Sequence, residues 1–197
     1  IFKAMTISRI ELATLFLISI IILNKAMAIE TPKYTLIKKE KGFEIREYGP
    51  MIIATTNVKS DYSDATSTGF RRIASYIFGG NSASMSIAMT APVLTNTPDT
   101  EDFYEIQFVM PSEHLMEDLP QPNSQNVTLK KVKLGRTAAL RFGGWATKNR
   151  ASHYQNKLGD LLAANGYTVN GTFMVAQYNS PWAIPPFRKN EIIVQIK

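Results

Sequence analysis

Few residues in this chain have side chains that could do chemistry. The 197 residues include 2 histidines and no cysteine. Without thiols there is no disulfide framework, no thiolate metal site and no cysteine nucleophile. His153 has Arg150, Asn156 and Lys157 as its helical neighbours, well away from any apolar stripe, and reads as a solvated surface residue. His114 lies in the run Glu113-His114-Leu115-Met116-Glu117-Asp118. A carboxylate three residues away could share a metal with it, but such a pair supplies too few ligands for a tight site. Glu44 and Glu47 fall on opposite faces of a strand and cannot converge as an acid/base pair. Ser84, Ser86 and Thr90 have no evident base. Gly-x-Ser-x-Gly, HExxH, GxGxxG and phosphate-cradling glycine loops are all missing. No residue earns a catalytic role, and the chain reads as a binder, not an enzyme.

Binding-type features are richer. Methionine recurs at Met85, Met89, Met110 and Met116, and aromatics cluster at Phe103, Tyr104 and Phe108. Methionine fills irregular apolar space and suits planar ligands, although ordinary core packing accounts for it equally. Residues 178–188 (YNSPWAIPPFR) hold three prolines beside Tyr178, Trp182 and Phe187. That composition makes a rigid loop, the kind that walls a pocket at a sheet end.

The elements that must position these residues follow from periodicity. Residues 35–39, 43–48 and 51–58 read as strands, punctuated at Gly49-Pro50. Phe70, Ile73, Ala74, Ile77 and Phe78 then recur at helical spacing, with Asp61 or Ser63 as the cap and Gly79-Gly80 as the stop. Residues 85–94 and 103–110 read as strands, before a proline-bounded loop over 111–122. Residues 127–134 and 137–142 are read as strands around a turn at Gly135-Arg136. A second helix over 147–165 buries Tyr154, Leu158, Leu161 and Leu162, and strands at 173–178 and 192–196 close the chain. Each half therefore reads as strands, one helix, then two strands, with no alignable internal period. The expected fold is α+β: a curved antiparallel sheet or distorted open β-barrel with one helix flanking each half.

Composition agrees with a single packed domain over 29–197. The chain is 45% hydrophobic and 19% charged, which excludes a disordered tail. Its net charge of +6 is scattered instead of massed in a stripe, so no nucleic-acid partner is expected. Residues 1–28 read as a signal peptide. Residues 12–23 (LATLFLISIIIL) carry no charge, Lys3 and Arg9 precede them, and Ala26-Met27-Ala28 offers a cleavage site. This apolar run is too short for a comfortable bilayer span, which takes roughly 17–25 residues. Export to a bacterial periplasm or beyond is expected; the alternative is an uncleaved anchor, the one membrane contact foreseen. Asn126 and Asn170 begin glycosylation sequons that a bacterial-type signal makes incidental. Oligomeric state is left open.

Three ordered segments resemble the SOUL haem-binding protein family: Phe43-Glu44-Ile45-Arg46-Glu47-Tyr48-Gly49-Pro50, Ile87-Ala88-Met89-Thr90-Ala91-Pro92-Val93, and Tyr178-Asn179-Ser180-Pro181 running to Arg188-Lys189-Asn190-Glu191-Ile192. Phe142-Gly143-Gly144 before the second helix matches as well. The resemblance implies a barrel-like sheet of two similar halves that binds haem or another tetrapyrrole in a shallow apolar groove. It also implies that the first helix and the loop between the last strands wall the groove. Here those walls are Phe70, Arg71, Arg72, Ile73, Ala74 and Ile77 on one side, and Trp182, Phe187 and Arg188 on the other, with Met89 nearby. A porphyrin is a flat apolar plate with an acidic edge, and Arg71, Arg72 and Arg188 are the cations for its propionates. The helix stripe could equally be core. Some family members carry His immediately before Tyr-Gly-Pro as an axial ligand; here that residue is Glu47, a poor iron ligand. His114, Met85, Met89 and tyrosines are the residual axial candidates. A second reading is an interaction or sensing module on the same scaffold.

Overall fold

Alternating apolar side chains and two amphipathic stretches organise the chain in the computed structural model, which describes residues 29–96, 103–180 and 183–197. The expected signal peptide and Trp182 fall outside these residues. The elements run β1 (Tyr34–Glu40), β2 (Phe43–Lys59), α1 (Tyr62–Ile77), β3 (Val93–Asn96), β4 (Phe103–Val109), β5 (Thr128–Gly143), α2 (Lys148–Ala164), β6 (Met174–Gln177) and β7 (Lys189–Gln195). Antiparallel pairing gives the order β2-β4-β3-β6-β7-β5, and β5 returns to β2, so six strands close a barrel. β1 lies outside the ring, against the first half of β2.

Two expected breaks are not breaks. Gly49-Pro50 lies inside the 17-residue strand β2, and Gly135 lies inside the 16-residue strand β5. Proline is tolerated there because β2 changes neighbours: β1 pairs with it to Tyr48 and β4 from Ile53 onward. Gly135 has φ 60° and faces Tyr48 across the ladder. At that pair both strands switch the parity of their inward residues, a bend that a left-handed glycine permits. Residues 85–92, expected as strand, form a looping segment with isolated bridges, and only Val93–Asn96 joins the sheet.

Three apolar clusters hold the molecule. Tyr104, Ile106 and Phe108 of β4 meet Ile73, Tyr76 and Ile77 under α1. Leu140 and Ile192 meet Leu158 and Leu162 under α2. Ile53, Leu94, Val109, Met174 and Ile193 fill the barrel. Each fully buried leucine or isoleucine contributes roughly 1.5–3 kcal/mol of transfer free energy. Asp61 caps α1 by accepting from Asp64 N (3.0 Å), and Thr147 caps α2 by accepting from Arg150 N (3.4 Å).

The halves share more than element order. One constant interval in sequence separates the two caps Asp61 and Thr147, the bend glycines Gly49 and Gly135, and the inward acids Glu105 and Glu191. The same interval separates the residues that donate to those acids: Thr55 Oγ1 to Glu105 Oε1 (2.7 Å) and Arg141 Nε to Glu191 Oε1 (3.0 Å). The internal repeat that sequence comparison does not detect survives in the geometry.

Candidate functional site

A groove of about 670 Å³ opens between the helices, over the β3–β6 seam, where Val93 pairs with Gln177. This is within the usual size range for a small-molecule site. Its first wall is the outer face of α1: Ser63, Thr66, Ser67, Phe70 and Arg71, spaced for one helical stripe. Its second wall is Trp145, Thr147 and Lys148 at the start of α2, and Asn179 and Arg188 close one end. Both helix N-termini face this cleft, and their partial positive charge favours an acidic ligand edge. Asp61, the carboxylate at the groove, is engaged as the α1 cap.

Three expected site residues meet here: Phe70, Arg71 and Arg188. Arg71 is exposed, and its Nη2 lies 3.1 Å from Thr68 Oγ1. Arg188 is buried; it donates from Nε to Ala183 O (2.8 Å), and its guanidinium lies 3.7 Å from the centre of the Trp145 ring. It positions Trp145 as much as it offers charge.

The other expected residues lie elsewhere. Ile73 and Ile77 are 0% and 1% exposed and belong to the α1 core, so they cannot wall the groove. The buried stripe of α1 runs through Tyr62, Ala65, Gly69, Ile73, Tyr76 and Ile77, one step around the helix from the groove face. Ala74 is half-buried and does not line the cleft. Arg72 turns to the end of β2, donating to Asn57 O (2.9 Å). Met89 packs against the α1 core. Phe187 is 74% exposed, in the short turn Pro185–Phe187 and outside the groove. His153 is exposed against Tyr154. His114 lines a separate bay beside Pro50 and Met51, 3.7 Å from Glu113.

Sequence reading missed Trp145 and Lys148. Their signal was position: they flank the Thr147 cap just after Gly143-Gly144. Also missed was Tyr62, which lines the groove while its hydroxyl is buried with no hydrogen-bond partner among the described residues. Burial, and secondarily Tyr104, pushes this phenol well above its ordinary pKa.

Inside the barrel lies a polar cluster that was not foreseen either. Arg46 and Glu191 pair in two parallel bonds, from Nη1 to Oε2 (2.8 Å) and from Nη2 to Oε1 (2.9 Å). Glu44 accepts from Arg46 Nε and Nη2 (2.9 and 2.7 Å), and Tyr178 donates to Glu191 (2.6 Å). Burial alone would raise the Glu191 carboxyl. Hydrogen bonds from Arg46 and Tyr178 and the Arg46 charge outweigh it and hold the group at about 2. Burial likewise opposes charge on Arg46, yet Glu191 and Glu44 hold it above its ordinary value. These groups are saturated with one another, so the cluster ties β2 to β7 and leaves nothing poised to react.

The closed barrel with a helix on each half makes this an α+β barrel protein with a cation-lined cleft between its helices. The model of the SOUL heme-binding proteins matches residues 29–195, and the chain belongs to this family. It is 30% identical to heme-binding protein 2 of Homo sapiens over 167 residues, covering 79% of this chain and 81% of the human protein. To heme-binding protein 2 of Mus musculus it is 31% identical over 180 residues, 86% and 87% of the two chains. The fold is shared more widely: a hydrolase from Listeria innocua (TM-score 0.55, 12% identity, 89% and 96% covered) and the EcmrR C-terminal domain (0.59, 11%, 83% and 98%) have the same architecture. Haem or a related tetrapyrrole is the ligand class the family supports.

Proposed function

We propose that the protein binds haem or another tetrapyrrole in the cleft between its helices, and that it acts as a binder or carrier without catalysing a reaction. The ring lies against Phe70 and Trp145, and its single acid edge meets the cations that line the cleft, Arg71 and Lys148. The observation that carries this reading is the cleft itself: two aromatic side chains and cationic side chains line one hollow at the junction of two helix N-termini. The buried Tyr62 hydroxyl adds one polar atom in want of a partner. Neither histidine lines this cleft. The ring is therefore held by its faces and acid edge, without an imidazole from these walls. The hydroxyls of Ser63, Thr66 and Ser67 make the cleft less apolar than a purely hydrophobic slot, and the carboxylate that lines it with them, Asp61, is engaged as the α1 cap, which favours binding over catalysis. The apolar run at residues 12–23, preceded by Lys3 and Arg9, supports export of the carrier, with an uncleaved membrane anchor as the second reading.

Titrating the protein with hemin while following its absorption band tests the proposal. One saturable equivalent is expected, weakened several-fold by Arg71→Ala with Lys148→Ala and unaffected by Arg72→Ala. A linear, unsaturable response, or a dependence on Arg72 in place of the rim pair, contradicts it.

A further inference from the structure

The edge of β2 has a notch. β1 covers that edge to Tyr48 and β4 covers it from Ile53, and between them Met110 N donates to Ile52 O (2.8 Å). Pro50 has no N–H, so the gap leaves no donor stranded at that residue. On the other half β7 covers the matching edge of β5 from Thr137 onward. The notch is roofed by the chain before β1 and the turn after β4. Glu30 joins the two through its carboxylate, which accepts from Ser112 N (3.0 Å), and its carbonyl ties the same chain to the segment before β3 by accepting from Ala91 N (2.8 Å).

Under this roof is a bay of about 490 Å³, sharing no lining residue with the helix cleft. Its walls are apolar: Pro50, Met51, Ile52, Val109 and Pro111. Its mouth is cationic. Lys33 and Lys131 both line it, both are exposed, and neither makes an ion pair among the described residues. The one carboxylate lining the bay, Glu30, is held at the roof by Ser112 N, and the two ammonium groups outnumber its charge. An apolar hollow with two unpaired ammonium groups at its margin selects a molecule with an apolar body and an acid head.

We propose that this bay is a second, separate binding site, for an amphipathic carboxylate of the medium-chain fatty-acid type. The chain enters over Met51 and Ile52, and the head group rests between Lys33 and Lys131. The site does not depend on what the helix cleft binds.

Dodecanoate below its micelle concentration is the probe, followed by calorimetry on the protein, with dodecan-1-ol as the uncharged control. One saturable equivalent is expected for dodecanoate, with the alcohol binding more weakly. Lys33→Gln with Lys131→Gln removes both charges while keeping both positions polar and is expected to weaken dodecanoate by about tenfold, the scale of two rim ion pairs, with hemin binding unchanged. Dodecanoate that does not bind, that binds no better than the alcohol, that ignores the double substitution, or that one equivalent of hemin displaces, overturns the proposal. Failure of hemin itself to bind overturns only the reading of the cleft.

Discussion

Glu105 and Glu191 occupy equivalent places in the two halves and have been put to different use. Each is an inward acid near the start of the last strand of its half, and each takes a cation from the other half: Lys130 for Glu105, Arg46 for Glu191. The Glu105 pair stands near the barrel end, with its side chains 22% and 49% exposed; the Glu191 pair is sealed at 1% and 1%. Water screens the first pair and leaves it weak, whereas the second must satisfy itself completely. The helices diverge in the same way. A Cβ on Gly69 of α1 would lie 2.5 Å from Ile106, so α1 sits close because that residue lacks a side chain. Gly159 of α2 has its nearest neighbour, Phe173, at 3.9 Å, and α2 stands off on Ala151, Leu158 and Leu162. The two halves thus share a layout and differ in how closely the helix packs and how completely the inward acid is sealed.

Four substitutions sharpen this contrast, taken from the largest effect down. Glu191→Gln leaves Arg46 buried beside too little charge and is expected to cost about 3–5 kcal/mol in denaturant unfolding. It also removes an acid dependence. The folded carboxyl lies at about 2 against an ordinary 4.5, so its stabilisation is complete above about pH 4.5 and is lost as pH falls toward 2. The wild type should show that acid limb in full and the variant a shallower one, left by the lowered carboxyls of Glu105 and Glu40. Next, Gly69→Ala forces α1 away from Ile106 and is expected to cost about 1–3 kcal/mol while weakening hemin binding, since the groove wall moves with the helix. Glu105→Gln, the counterpart of the first change, should cost about 1 kcal/mol or less. Equal losses at Glu105 and Glu191 would erase the distinction between the halves. Finally, Gly159→Ala should stabilise by about 0.5–1 kcal/mol, because an open helix position gains propensity without a clash. A loss of thermal stability there would mean that α2 is packed as closely as α1.

The sequence exposed the architecture wherever local signals governed it. Both helices, the cap of the first as Asp61 or Ser63, and the buried pair Leu158 and Leu162 were legible because spacing and capping chemistry are short-range. Gly49-Pro50 and Gly135 misled because their meaning is set by partners far along the chain: an edge where β2 changes neighbours, and a bend shared by two strands. The cleft was half legible. Phe70, Arg71 and Arg188 stood in segments the family resemblance already marked. Ile73 and Ile77 were taken with them because a single apolar stripe cannot reveal which side of a helix meets the sheet. Gly69, the residue that decides this, looks like a helix flaw until Ile106 is placed against it. Arg46 and Glu191 carried a weak signal, since Glu44, Arg46 and Tyr48 alternate out of phase with Phe43 and Ile45. Only barrel closure makes the polar face an interior one.

The central claim is that a tetrapyrrole occupies the cleft between the helices. Ser67 lies exposed on the groove face of α1, clear of the core, so Ser67→Trp fills the cleft without touching what holds the fold. Hemin titration of this variant beside the wild type is the direct measurement. The account predicts one saturable equivalent for the wild type and at least about a tenfold loss of affinity for the variant, at unchanged thermal stability, the scale of losing one well-packed ring contact. Hemin that binds Ser67→Trp as tightly as the wild type would contradict it.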